Sequence, residues 1–312
     1  MLKTSKILSL FLTLVLIAGV FVGCTGVGND GKIKIVCSVF AEYDWVRNIV
    51  GDSENVEVTL LVSGGQELHS YEATPADVLM LKTSDIVVSV GGASDEWISD
   101  MLDGTEVKHV RLTQIEGITL HEVSAHSDDH DHDHGSKEID EHIWLSLKNA
   151  AIAIEHLCAE ISELDPNGAE KYNNNTKIYL ESLVDLDKRM TDIATDNHTL
   201  LFADRFPFVY FLEDYGIKYH AAFEGCSSDI GWTPETAIDL ASRLDASEKR
   251  FLFVTESSDR ELATSVIGIS KNGGEIVSLN SMQAVSTEDV GARTYVEIMS
   301  ENVATMEHVF GR

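Results

Sequence analysis

Two histidines stand in settings suited to metal chemistry. His69 lies in Gly64 to Asp77 (GGQELHSYEATPAD), between the end of one expected strand and the start of a helix. His142 lies in Asp140-Glu141-His142-Ile143-Trp144-Leu145, again at a helix entrance. Glu67 sits beside the first, and Asp140 and Glu141 beside the second. Neutral imidazole suits zinc, copper and nickel, and a neighbouring carboxylate can orient the ring. A further run, His121, His126, His130, His132 and His134, alternates with Asp128, Asp129, Asp131 and Asp133. That alternation has the look of a calcium loop, but Gly135 comes one position late and Asp140 stands where Glu is needed. The imidazoles favour a transition ion instead. Such a polar segment loses entropy when it closes round a metal, so it should bind several ions weakly and pass them to His142 next door.

The elements that must hold these residues follow from the apolar patterning. Lys32 to Val39, Val56 to Val62, Asp85 to Val90 and Lys108 to Leu112 read as strands, with helices at Ala41 to Val50, from Asp77 and at Glu96 to Leu102. Strands alternating with helices at this spacing predict a parallel sheet with crossovers. His121 to Glu141 has no hydrophobic period and is expected to be a loop. Trp144 to Leu164 returns to helix spacing, and Pro166 to about Asp196 reads as one long helix of about 45 Å. From Thr199 the alternation restarts, with strands at Thr199 to Ala203, Tyr219 to Phe223, Arg250 to Thr255 and Gly274 to Leu279, and a closing helix at Thr294 to Phe310. The expected fold class is α/β: two lobes, each a mostly parallel sheet flanked by helices, joined by one long linking helix. The divisions are 32–165, 166–197 and 198–312. In open sheets of this kind ligands sit at the carboxyl ends of the strands, which directs attention to a cleft between the lobes.

The first 31 residues are of another kind. Lys3 and Lys6 precede an apolar run, Ile7 to Val22, broken by Ser9, Thr13 and Gly19. This reads as a signal peptide over 1–23. Gly23-Cys24 resembles a bacterial lipoprotein cleavage box, although Phe21 stands where Leu is usual. Cys24 would then carry lipid and 24–31 would be a tether; an uncleaved membrane anchor is the other reading. Either places the rest outside the cytoplasmic membrane, lipid-anchored in the first case. No later segment approaches the ~18 apolar residues of a span. The chain carries 23 basic and 52 acidic residues, a net charge of −29. Such a field repels phosphate backbones and argues against nucleic acid as a partner. Cys37, Cys158 and Cys226 are widely spaced and form no disulfide framework.

The His69 segment running into Tyr71-Glu72-Ala73-Thr74-Pro75-Ala76-Asp77, the His142 segment with Asn149, the start Ile33 to Gly51 and Tyr210 to Gly216 together resemble the zinc/manganese substrate-binding lipoproteins of ABC transporters (cluster A-I). The resemblance covers essentially the whole chain after the leader. It implies two α/β lobes, a rigid linking helix and a metal at the lobe interface. It implies zinc, or manganese, as cargo, and an ABC permease with its ATPase as partners; the protein is expected to be a monomer. The first two family ligands fall on His69 and His142. The third aligns with Arg205 and the fourth with Asn280. Arg cannot be deprotonated in a protein and cannot ligate, so the second lobe must contribute differently. Asp204, Glu224, Cys226 and Glu256 are the nearby candidates. Cys226 is either a thiolate ligand or a buried thiol; Glu256 either ligates or pairs with Arg205. A histidine-rich loop such as His126, His130, His132 and His134 is frequent in zinc-type members. A metal-dependent hydrolase needs an open metal position and a general base, and the sequence has no His-Glu-x-x-His helix, nucleophile elbow or phosphate loop. A metal-dependent surface adhesin or sensor is a third reading.

Overall fold

In the computed structural model the residues described are 31–124, 137–194, 198–223 and 231–311. Residues 33–312 form one compact unit. Its first lobe is built on a parallel sheet of order β2-β1-β3-β4: β1 (Ile33–Cys37), β2 (Val56–Leu60), β3 (Ile86–Ser89) and β4 (Lys108–Arg111). The strands are short apolar runs because a parallel sheet is covered on both faces; all four residues of β3 are buried. The crossover helices are α1 (Phe40–Val50), α2 (Pro75–Lys82) and α3 (Glu96–Leu102). The second lobe repeats the plan with order β10-β9-β7-β8, all parallel: β7 (Thr199–Phe202), β8 (Lys218–Ala221), β9 (Phe251–Thr255) and β10 (Glu275–Leu279). Its helices are α6 (Val209–Glu213), α7 (Pro234–Ala246), α8 (Glu261–Ile269) and α9 (Tyr295–Phe310). Two α/β lobes with a long helix between them is the architecture the patterning predicted.

Two expectations are revised. The stretch His121 to Glu141 is not all loop: β5 (Glu122–Ser124) and β6 (Lys137–Ile139) pair antiparallel. Short polar strands of this kind give no apolar period to read. The long helix, α5 (Ala169–Ile193), has 25 residues, about 37 Å, and starts three residues after Pro166. Asp165 accounts for the late start, since its Oδ1 takes the Gly168 N–H at 3.3 Å and its Oδ2 takes the Tyr172 hydroxyl at 2.6 Å, closing a turn.

α4 (Leu147–Leu164) and α5 pack side by side, and α5 also lies against α1 and α9. One apolar core runs from Ile35 and Trp45 in the first lobe through Leu183, Leu186 and Met190 of α5 to Phe202, Phe253 and Met306 in the second. A smaller cluster under α7 and α8 (Leu240, Leu244, Leu252, Val266) seals the far face of the second sheet. The lobes are therefore joined by packed side chains as well as by chain.

Candidate metal centre

His69 sits on a single 3₁₀ turn, Leu68–Ser70, after β2. The chain beyond it is pinned by a capping box at the start of α2. Asp77 Oδ2 accepts from Thr74 N (2.7 Å), Thr74 Oγ1 (2.7 Å) and Tyr71 Oη (2.9 Å), while Thr74 Oγ1 accepts from Asp77 N (3.3 Å). Pro75 supplies the fixed φ suited to a first helical position. Leu68 is buried and anchors the turn, so the ring of His69 projects from a fixed base.

His142 precedes another 3₁₀ turn, Ile143–Leu145, which leads into α4. Ser146 caps that helix, accepting from Asn149 N (2.9 Å), and its hydroxyl donates to Asp214 Oδ2 (2.5 Å). Asn149 in turn exchanges two 2.9 Å bonds with the Thr119 backbone. The second lobe grips the same segment. Tyr210 Oη donates to Asp140 O (2.7 Å), Trp144 Nε1 donates to Ser281 O (2.9 Å) and Tyr295 Oη donates to Trp144 O (2.7 Å). His142 is 2% exposed.

The two rings meet, although 73 residues separate them: His69 Nε2 and His142 Nε2 are 3.4 Å apart. Two nitrogens, each ~2.05 Å from one tetrahedral zinc, stand about 3.3 Å apart. The other nitrogen of each ring is tied behind. His142 Nδ1 lies 2.8 Å from Asp140 Oδ1, and His69 Nδ1 lies 2.7 Å from Ser94 Oγ and 3.4 Å from Glu141 Oε2. A carboxylate thus stands behind each imidazole, the arrangement that orients metal-binding rings in general. Glu141 can reach this position because residue 92 is glycine. A Cβ there would fall 2.3 Å from Glu141 Oε1, which also accepts from Ser94 N at 2.6 Å.

Behind this layer lie two buried acids. Asp95 accepts from Gly91 N and Gly92 N, and burial, reinforced by Glu141, pushes its pKa up to about 6. Glu42 is wholly buried, and burial followed by the charge of Asp95 takes it to about 8.

Across the cleft, Arg205 makes a two-pronged ion pair with Glu67: Nη1 to Oε2 at 2.7 Å and Nη2 to Oε1 at 2.8 Å. The guanidinium, aided by the imidazoles, holds the Glu67 carboxyl below its usual range. Glu256 accepts from Ser281 N and Ser281 Oγ, both at 2.8 Å, and burial raises its pKa. Asp204 is consumed in structure, with Oδ2 taking Thr255 N and Oγ1 and Oδ1 taking Arg205 N. Asn280 turns its side-chain oxygen to Met282 N (2.8 Å), where the backbone adopts a left-handed conformation at Met282 (φ 60°).

Among the described residues, no group of three His, Cys, Asp or Glu side chains is arranged to hold a metal ion. Glu224, Cys226, His126, His130, His132, His134 and Cys24 lie outside the described residues. Cys37 and Cys158 are free and buried. At the root of the histidine-rich segment, His121 Nδ1 is 3.1 Å from Glu213 Oε2 and its ring meets Tyr210 edge-on at 4.8 Å. Sequence reading missed Ser94 and the Glu67–Arg205 pair. Neither leaves a local signal, since their partners lie 25 and 138 residues away.

Comparison with known proteins places the chain in a family. Residues 35–309 match the family profile described as ZnuA, zinc-uptake complex component A, periplasmic. The chain belongs to the ZnuA family. Zinc-binding lipoprotein AdcA of Streptococcus pneumoniae is 27% identical over 285 residues, 89% of this chain and 56% of that protein. Manganese-binding lipoprotein MntA of Halalkalibacterium halodurans is 30% identical over 307 residues, 94% and 95% of the two chains. The chain thus spans about half the length of the AdcA relative and nearly all of the MntA relative. The crystal structure of the Zn(II)-bound ZnuA-like domain of the pneumococcal AdcA superposes with a TM-score of 0.72 at 22% identity, covering 90% of this chain and 100% of that one; this likeness shows the shared fold. The two relatives are named for different metals, zinc and manganese.

Proposed function

We propose that this chain is an extracytoplasmic solute-binding lipoprotein that captures a divalent transition metal and delivers it to an ABC permease. The observation that carries the reading is the imidazole pair: two Nε2 atoms 3.4 Å apart, each backed by a partner on Nδ1. Two nitrogen donors favour zinc over the harder manganese, so zinc is the first cargo and manganese the second. Capture is ligand exchange from water to imidazole and weakens in acid as the rings take up protons. Nothing in this chemistry calls for turnover, and the family relatives are named as binding proteins.

Glu224 and Cys226 remain the second-lobe donors we assign to complete the coordination, and Glu256 either joins them or pairs with Arg205. The histidine-rich segment acts as an accessory, weaker collector. No helix among the described residues is long and apolar enough to cross a membrane; attachment is assigned to lipid on Cys24. The protein acts as a monomer facing its permease.

The test is a chelator-buffered Zn²⁺ titration of the chain from Cys24 onward. His69→Ala and His142→Ala should each abolish tight binding, whereas deletion of residues 124–137 should lower the stoichiometry and spare the tight site. Unchanged tight affinity in both alanine variants would remove the assignment.

A further inference from the structure

Arg205 stands where the sequence pattern leads one to expect a ligand, and its partner is informative. Glu67 is two residues from His69 in the same loop, and its carboxylate lies within electrostatic reach of both imidazoles. A bidentate guanidinium–carboxylate pair is the strongest geometry this carboxylate can find without a metal. Both side chains are about one-fifth exposed. The fork bridges the lobes beside the ring pair. On the far side of Arg205, Ser257 Oγ is 3.4 Å from Nη2, and Glu256, the preceding residue, is close enough to Glu67 for the two acids to repel.

We propose that Arg205 is a placeholder cation: it holds Glu67 beside the imidazole pair until metal arrives, then yields that carboxylate to the ion as a third ligand and turns toward Glu256. This rests on the metal-capture reading above. Glu67 shares a loop with His69, so the exchange acts on two side chains at the edge of the ring pair. It also preserves charge pairing at each stage. Glu67 passes from guanidinium to metal, and the guanidinium passes from Glu67 to Glu256, which Ser281 already holds by two bonds. Without such an exchange, a guanidinium fixed near the ion would repel it, with little solvent to screen the repulsion. Arg205 would thus set affinity by competing with the cargo for one carboxylate. It would discriminate against any ion too weakly charged to displace it.

The experiment compares Zn²⁺ affinity in the wild type, Arg205→Gln, Glu67→Gln and the double variant, with Co²⁺ absorption as a reporter of the ligand set. Arg205→Lys serves as a variant that keeps the charge and loses the fork. Arg205→Gln should bind up to about fivefold more tightly, the worth of releasing one partly exposed ion pair. Glu67→Gln should weaken binding at least about tenfold and change the Co²⁺ spectrum. In the Glu67→Gln background the gain from Arg205→Gln should vanish. A gain that persists there would make Arg205 a simple repelling charge and overturn the proposal. So would unchanged affinity and an unchanged Co²⁺ spectrum in Glu67→Gln. Failure of the wild type itself to bind Zn²⁺ tightly would overturn the metal-capture reading instead.

Discussion

Replacing Asp140 by Asn isolates the electrostatic support behind His142. Asp140 is 3% exposed, and its Oδ1 accepts from both the His142 backbone N–H (2.9 Å) and Nδ1 (2.8 Å). An asparagine carbonyl can keep both bonds, and the Tyr210 hydroxyl still reaches the residue 140 carbonyl, so shape and clamp survive while the charge goes. A metal on Nε2 would sit roughly 6 to 7 Å from that carboxylate. At an effective dielectric of ~20, one negative charge at this distance from a divalent ion is worth about 5 kcal/mol before desolvation is subtracted. Losses for partners of metal-binding imidazoles run from about 10-fold to 100-fold. We therefore expect Asp140→Asn to weaken Zn²⁺ binding about 30-fold, or ~2 kcal/mol, with little change in thermal stability. The assay is chelator competition at pH 7.5, alongside a melting curve of the metal-free protein. Affinity within twofold of wild type, with the fold intact, would refute the claim that the Nδ1 contact tunes this ring, and with it the reason for reading the His69–His142 geometry as a metal site.

Two further outcomes can be checked. Glu42 is buried among three donors, Ser38 N, Ser38 Oγ and Val39 N, and keeps its proton up to about pH 8, whereas an unfolded chain releases it near 4.5. The raised value means that stability present below pH 4.5 is lost as pH climbs toward 8. Glu42→Gln should therefore gain on wild type by ~1.4 kcal/mol per pH unit between about 5 and 7.5 in denaturant unfolding, and a gap independent of pH would contradict it. Cys24→Ser should release the protein from membranes into the soluble fraction on cell fractionation, whereas retention would favour the uncleaved-anchor reading.

The layout of both lobes was legible because parallel strands and amphipathic helices write their burial locally. Ile86 to Ser89 is apolar because both sheet faces are covered, and Thr74-Pro75 announces α2 by its capping chemistry. The histidine pair was legible for a related reason, since each ring sits where a strand end hands over to a helix. What could not be read was which group faces which across the cleft. Arg205 finds Glu67 through the closing of two lobes, and no spacing rule encodes a partner 138 residues away; Glu256 finds Ser281 within the second lobe, where β9 and β10 end side by side. The late start of α5 was also hidden, because it depends on how Asp165 meets Gly168 and Tyr172 in the packed turn.

The same closing of lobes constrains how the centre can open. His142 belongs by chain to the first lobe, yet Tyr210, Ser281 and Tyr295 of the second hold its segment through backbone groups. A wide rotation of the lobes would have to part those bonds and split an apolar core that runs unbroken through α5. That core is close-packed, and such interiors yield by discrete steps. The less protected partner is His69, whose side chain is 30% exposed on a short turn. Adjustment on metal arrival is therefore cheapest in the His69 loop and in the Glu67–Arg205 fork, with His142 as the fixed half of the grip.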